Sequence, residues 1–262
     1  MTGLESVLLG IVQGLTEFLP VSSSGHLIIG KELLGIENEN LSFEIVVHAA
    51  TVMSTLVAFR KEVWELSKGF FKFSRNAETD YIFKILISMI PVFIVGVFLK
   101  DQVEAIFGSG LIVVGFSLLG TALLLTISNY FKPRERELSY RDAFVIGIAQ
   151  AVAVLPGLSR SGTTISTGLM LGIKRDQIAK FSFLMVLIPV LGEAFLELVS
   201  GDLSVANSGI SVTTLSLGFV SAFLSGLLAC RLMVSLVSKT KLLGFAIYCA
   251  AVGLACLFSI AF

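Results

Sequence analysis

Two stretches decide how the chain folds: GIVQGLTEFLPVSSSG at residues 10–25 and GIAQAVAVLPGLSRSG at residues 147–162. Laid without gaps they share Gly, Ile, Gln, Ser, Ser and Gly, and the polar matches are Gln13/Gln150, Ser22/Ser159 and Ser24/Ser161. Apolar sequence matches itself by chance, but shared polar positions favour an internal duplication, here offset by 137 residues, about half the chain. In each copy an apolar run, Ser6 to Thr16 or Ala143 to Leu155, is too short to cross a bilayer and ends near Pro20 or Pro156. Such a segment is expected to enter the membrane, turn at its Pro/Ser/Gly stretch and leave on the same side, as a re-entrant hairpin.

The rest of the chain fits that setting. Of 262 residues, 55% are hydrophobic and 15% charged, against roughly 25% charged in an ordinary soluble domain. That balance argues against a water-soluble monomer. Charge-free runs extend from Ala105 to Phe131, from Leu203 to Cys230 and from Leu242 to the C-terminus, and each is long enough to cross about 30 Å of hydrocarbon as a helix. Three further candidates are Phe43 to Phe59, interrupted by His48, Ile85 to Leu99, and Phe181 to Val199, which holds Glu193 and Glu197. The expected fold is therefore an all-α polytopic membrane protein with six transmembrane helices and two re-entrant helical hairpins. The N-terminus has no basic region followed by a cleavage site, so the first segment is expected to belong to the mature protein. Cys230, Cys249 and Cys256 lie in the last two apolar runs without metal-ligand spacing and read as packing residues. A formal net charge of zero gives no reason to expect a nucleic-acid partner.

Loop charge orients this arrangement. Six basic residues follow Phe59 (Arg60, Lys61, Lys68, Lys72, Arg75, Lys84) and four follow Tyr130 (Lys132, Arg134, Arg136, Arg141). With six crossings, Lys174, Arg175, Lys180, Arg231, Lys239 and Lys241 fall on the same side, which then holds 16 of the 19 basic residues. Lys31 and Lys100 fall on the other. The positive-inside rule makes the rich side cytoplasmic, so both termini and the mouth of the first hairpin face outward. Trp64, Tyr81, Tyr130 and Tyr140 cluster at the cytoplasmic ends, where interfacial aromatics belong.

Three crossings separate the hairpins, and an odd number inverts the second copy relative to the first. The expected division is a first repeat over 1–131, with its hairpin at 1–35, and a second over 132–262, with its hairpin at 142–173, inside one membrane domain. Inverted repeats bring broken helices together near the bilayer midplane, where helix N-termini can face an anionic group. The copies have diverged: Glu17, Ser23 and His26 in the first stand where Val154, Arg160 and Thr163 stand in the second. One half keeps the acid and the imidazole, the other the permanent cation.

A cation between apolar stretches at membrane depth costs roughly 2.5–3.5 kcal/mol on an insertion scale, so Arg160 needs compensation. Snorkelling to the cytoplasmic surface is one answer. The setting Ser159-Arg160-Ser161-Gly162-Thr163-Thr164 favours a bound anion, because a planar guanidinium matches phosphate oxygens and hydroxyls with helix-start amides add donors. Gly162 permits close backbone approach. In the first hairpin Ser22-Ser23-Ser24-Gly25-His26 is a natural helix start that leaves N–H groups pointing into the site. Gln13 and Glu17 are four apart and share a helix face, and His26 follows Ser22 and Ser23 by four and three residues. Together these groups are candidates to converge on one phosphoryl centre. His48 reads either as a supporting donor or as a packed histidine bonded to a carbonyl. Glu193 and Glu197 read as interfacial.

With TEFLPVSSSGHL at residues 16–27, PGLSRSGTT at 156–164 and FSFLMVLIP at 181–189, nearly the whole chain resembles the undecaprenyl-diphosphatase family, also called the bacitracin-resistance proteins. The resemblance implies a multi-pass enzyme of the bacterial inner membrane that removes the terminal phosphate of undecaprenyl diphosphate. That step regenerates the lipid carrier for peptidoglycan and other wall polymers. It implicates Glu17, Ser23 and His26 in the first motif and Arg160 with Thr164 in the second. Beside them Gln13, Ser22, Ser24, Gly25, Ser159, Ser161, Gly162 and Thr163 are expected to contact the substrate. The family pattern further implies a divalent cation, Mg²⁺ or Ca²⁺, with Glu17 as ligand and the diphosphate supplying further oxygens. Many members carry Glu where this chain has Gln13, which weakens a two-carboxylate cation site, although Gln13 can still coordinate through its carbonyl. The type-2 phosphatidate phosphatases share SGH and SR fragments but need a second His after the Ser-Arg motif; both histidines here, His26 and His48, lie far upstream of Arg160.

The expected chemistry places the diphosphate between the hairpins, facing the periplasm, with Ser23 as nucleophile activated by His26 or Glu17. His26 as nucleophile and attack by metal-bound water are the other routes. The expected partners are undecaprenyl diphosphate and membrane lipid, and the reading is compatible with a homo-oligomer. The rival from another class is a lipid-carrier flippase or secondary transporter with an anion site between inverted repeats.

Overall fold

The structure is a computed structural model describing residues 1–36, 41–107, 110–131, 134–192, 210–239 and 241–261. Among the described residues it is helical, with a single isolated bridge between Arg136 and Ile173. The helices are α1 (Gly3–Phe18), α2 (Ser23–Leu33), α3 (Leu41–Ala58), α4 (Arg60–Phe70), α5 (Ala77–Phe98), α6 (Lys100–Phe107), α7 (Gly110–Ser128), α8 (Tyr140–Val152), α9 (Arg160–Met170), α10 (Arg175–Met185), α11 (Val212–Lys239) and α12 (Leu243–Ala261). After α10 the helix resumes over 187–192, where that described stretch ends. Glu193 and Glu197, and the outer part of the expected crossing from Phe181 to Val199, lie outside the described residues.

Four of these helices, α5, α7, α11 and α12, are long and apolar enough to cross a membrane, and a fifth span results if α3 and α4 count as one. The chain is thus a multi-pass, all-helical membrane protein. The apolar runs locate these helices with shifted ends. α5 begins at Ala77, eight residues before the run, because Asn76 caps it by accepting a hydrogen bond from the Thr79 N–H at 2.7 Å. α11 begins nine residues after the start of its run and continues through Arg231, whose exposed side chain is long enough to reach the interface from within a helix. The basic stretch after Phe59 was expected to be a solvated loop; it is instead helix α4, bent by 78° from α3.

The two short apolar runs begin alike. Thr2 Oγ1 accepts from the Glu5 N–H at 3.3 Å while Glu5 Oε2 accepts from the Thr2 N–H at 2.8 Å. At α8, Ser139 and Asp142 form the same reciprocal capping box at 3.2 and 3.0 Å. α1 packs along α11 and α8 along α5, while α7 and α12 lie against each other. α2 and α9 follow the two runs directly and meet α1, α7 and α8 at the centre, so the starts of both short helices face the interior. A buried apolar core runs through this centre from Phe18 and Val21 to Ile165, Phe181 and Phe183.

Candidate active site

Each hairpin turns through a proline-containing connection and restarts as a capped helix. Ser22 caps α2 by accepting from the Gly25 N–H at 3.3 Å, and Ser159 caps α9 by accepting from the Gly162 N–H at 3.1 Å. Ser22 sits at φ 70°, a conformation serine rarely adopts. The tips are packed against one another. A Cβ added at Gly25 would lie 3.0 Å from Gly157 Cα, one added at Gly162 would lie 3.3 Å from Pro20 Cβ, and Ser161 Oγ donates to the Leu19 carbonyl at 3.1 Å. Gly25 and Gly162 therefore allow one hairpin to approach the other, where sequence reading had assigned them to the ligand. Gly157 itself has φ 89° and sits under Val114, a place no other residue fits without strain.

This contact delivers Glu17, at the end of α1, to Arg160, at the start of α9. Glu17 Oε1 accepts from Arg160 Nη2 at 2.6 Å across 143 residues of sequence, with side chains 13% and 15% exposed. Arg160 Nη1 donates to the Ser182 carbonyl on α10 at 3.1 Å. The other Glu17 oxygen, Oε2, accepts from Ser23 Oγ at 2.6 Å and from Gln13 Nε2 at 3.1 Å. The carboxylate is thus the hub of the cluster: it compensates the Arg160 charge and takes a short, charge-assisted bond from the Ser23 hydroxyl. His48 Nε2 stands 4.0 Å from the same oxygen, beyond hydrogen-bond reach, while its Nδ1 bonds the Glu44 carbonyl at 2.8 Å, as a packed histidine would.

His26 is turned elsewhere. Its Nδ1 lies 2.8 Å from the Ser22 carbonyl and its Nε2 2.8 Å from the Tyr248 hydroxyl on α12, with the two rings stacked at 5.6 Å and 10°. A carbonyl only accepts, so Nδ1 carries the proton of the neutral ring and the Tyr248 hydroxyl donates to Nε2. No hydrogen bond joins the imidazole to Ser23 or Glu17 among the described residues.

Several expected substrate contacts are spent on structure. Ser22 and Ser159 cap helices, Ser24 Oγ lies 3.4 Å from Ser22 Oγ, and Thr164 Oγ1 shares a 2.7 Å bond with Ser182 Oγ. Thr163 Oγ1 and Gln13 Oε1 are buried with no protein partner. Tyr248, Ser182 and Thr121, which accepts from the Ser159 N–H at 2.9 Å, were missed from sequence. Each lies in an apolar run, a signal that marks a partner without naming it.

A divalent cation would find Glu17 and the unpartnered Gln13 Oε1 on one face of α1. No group of three or more His, Cys, Asp or Glu side chains could hold a metal among the described residues. The donor set fits an ion shared with diphosphate oxygens, not a cage made by protein alone.

The family model described as bacitracin resistance protein BacA matches residues 6–255. The chain belongs to the BacA family. It is 59% identical to a protein named undecaprenyl-diphosphatase from Bacteroides fragilis over 97% of this chain and 96% of the relative. A relative of the same name from Parabacteroides distasonis is 60% identical, with 97% of each chain covered. At greater distance, the undecaprenyl-diphosphatase of Korarchaeum cryptofilum is 39% identical over 97% of each chain. In this BacA family member a hydroxyl, a carboxylate and a guanidinium are thus brought together at the hairpin tips.

Proposed function

We propose that the chain removes the terminal phosphate of undecaprenyl diphosphate, leaving undecaprenyl phosphate as the recycled carrier for cell-wall polymers, and thereby confers bacitracin resistance. The observation that carries this reading is the cluster in which Glu17 holds Ser23 with one oxygen and Arg160 with the other. Glu17 is the base. As Ser23 Oγ attacks the terminal phosphorus its proton passes to Glu17, the bond to the bridging oxygen breaks, and undecaprenyl phosphate leaves. Protonation of Glu17 also loosens its hold on Arg160 at the moment when charge grows on the phosphoryl oxygens, which the guanidinium fork can then take. Water hydrolyses the phosphoserine by the reverse use of Glu17.

The 2.6 Å bond supports Glu17 over His26 as the activating group, since Ser22 and Tyr248 engage both ring nitrogens of His26. Gln13 and Glu17 would hold a Mg²⁺ or Ca²⁺ ion jointly with the diphosphate, where it would neutralise charge on the leaving group.

The site lies between inverted repeats over 1–131 and 132–262, each a re-entrant hairpin followed by three crossings. The matched capping boxes of α1 and α8, and the matched packing of α1 on α11 and α8 on α5, support this. Loop charge supports an inner-membrane setting with the site open to the periplasm. Transport of an anion leaves the acid–hydroxyl pair without a task, and the relatives are named undecaprenyl-diphosphatase. The test is release of phosphate by the purified protein from undecaprenyl diphosphate in detergent. Release that depends on added Mg²⁺ or Ca²⁺ is expected; no release with either ion overturns the reading.

A further inference from the structure

The site makes no use of α4, whose two faces differ sharply in chemistry. Arg60, Trp64, Lys68 and Phe71 recur at spacings of four, four and three, the repeat of one helix face, with Lys61 and Lys72 beside them. All six side chains are exposed, Trp64 by 66% and Phe71 by 69%. The opposite face belongs to the protein. Glu62 stands 3.8 Å from Lys180, Gly69 abuts Glu78, and Val63 and Leu66 line a cleft completed by Leu184, with the exposed Phe71 at its rim. Glu62 and the aliphatic side chains thus point inward, while the cations, Trp64 and, at the edge of the face, Glu65 are exposed. The 78° bend at Phe59 lays this helix across the direction of α3, so that a crossing α3 leaves α4 near the plane of the membrane surface.

We propose that the outward face of α4 is a binding surface for anionic phospholipid headgroups. Trp64 and Phe71 seat in the boundary between headgroups and acyl chains, and Arg60, Lys61, Lys68 and Lys72 contact the negative groups around them. Charge complementarity selects this occupant: the exposed side of the segment holds four cations against one acid, Glu65. Aromatic and basic side chains on one face are what an interfacial helix presents to an acidic leaflet. A general excess of loop cations, enough to orient the chain, does not require them to segregate with aromatics.

Trp64 is the chain's single tryptophan and so reports on this face alone. The full chain is placed in nanodiscs of equal phosphatidylglycerol and phosphatidylcholine, with bromine on the upper acyl chain of one lipid at a time. A cation at an acidic surface favours the anionic lipid about fivefold, so brominated phosphatidylglycerol should quench Trp64 several-fold more than brominated phosphatidylcholine. The double variant Lys61→Gln/Lys68→Gln should bring the two toward equality while total quenching persists. Salt at about 1 M should do the same to the unaltered protein, a measurement that stands even where the variant fails to insert. Equal quenching by both lipids in the unaltered protein overturns the headgroup preference. Absence of quenching by either places Trp64 in water or against protein and overturns the surface.

Discussion

Ser23→Ala separates the two remaining roles of this hydroxyl, because the structure sets how much each can cost. If Ser23 only orients Glu17 while water attacks, the substitution removes one charge-assisted hydrogen bond of 2.6 Å. Such a bond is worth about 1.5–3 kcal/mol, and at 1.36 kcal/mol per decade turnover would fall roughly 10- to 150-fold. If Ser23 is the nucleophile, its loss leaves no atom to accept the phosphoryl group, and turnover should fall by on the order of 10⁴ or more. Glu17 keeps its bonds from Arg160 and Gln13 in either case, so the fold and substrate binding should survive. The assay is phosphate release under saturating undecaprenyl diphosphate, with binding followed separately and label from the terminal phosphate sought on Ser23 by rapid quench. Residual turnover above about 1% of the unaltered protein, a loss within reach of a single hydrogen bond, would refute the serine mechanism and favour attack by water.

Arg160→Lys should insert and fold but lose roughly 100-fold in turnover, because an ammonium point charge cannot present the fork that reaches both Glu17 and the Ser182 carbonyl; near-normal phosphate release would exclude close phosphate recognition by this side chain. Tyr248→Phe keeps the stack on His26 and loses only the hydroxyl, so kcat should fall about 2- to 12-fold with KM little changed. Nitrogen NMR of the two histidines checks this, since His26 should keep its Nδ1 proton on the Ser22 carbonyl while its Nε2 resonance shifts on losing the hydroxyl donor. Gly157→Ala places a Cβ 2.6 Å from the Val114 carbonyl at φ 89°, and thermal unfolding in detergent should show a loss of roughly 2–4 kcal/mol.

The parts of the fold carried by local pattern were legible. Helix starts at Ser23 and Arg160 follow from the Ser caps before them, and the membrane helices from apolar length. What failed was the reading of charge as a boundary: Arg231 lies within α11, and the cations after Phe59 lie on a helix with its own periodicity. In the site, the meeting of Glu17 with Arg160 was foreshadowed by the diverged copies, and the Gln13–Glu17 bond by spacing. The direction of His26 was not, because Tyr248 comes from 222 residues away and helix spacing does not say which way a ring turns. The hairpin contacts of Ser161 and Gly162 were not legible for a similar reason. A small residue permits close approach, and only the assembled hairpins show that Leu19 and Pro20 are what approaches.

The bond between Glu17 and Arg160 also sets an order of events during synthesis. Arg160 is made 143 residues after Glu17, and at about 5–20 residues per second the carboxylate waits about 7–30 s for its counter-ion. A charged group cannot be buried alone without large cost, so the first hairpin is expected to stay near water until the second emerges. Final seating of both hairpins is therefore one late step, and a chain stopped before Arg160 exposes an incomplete N-terminal half to membrane quality control.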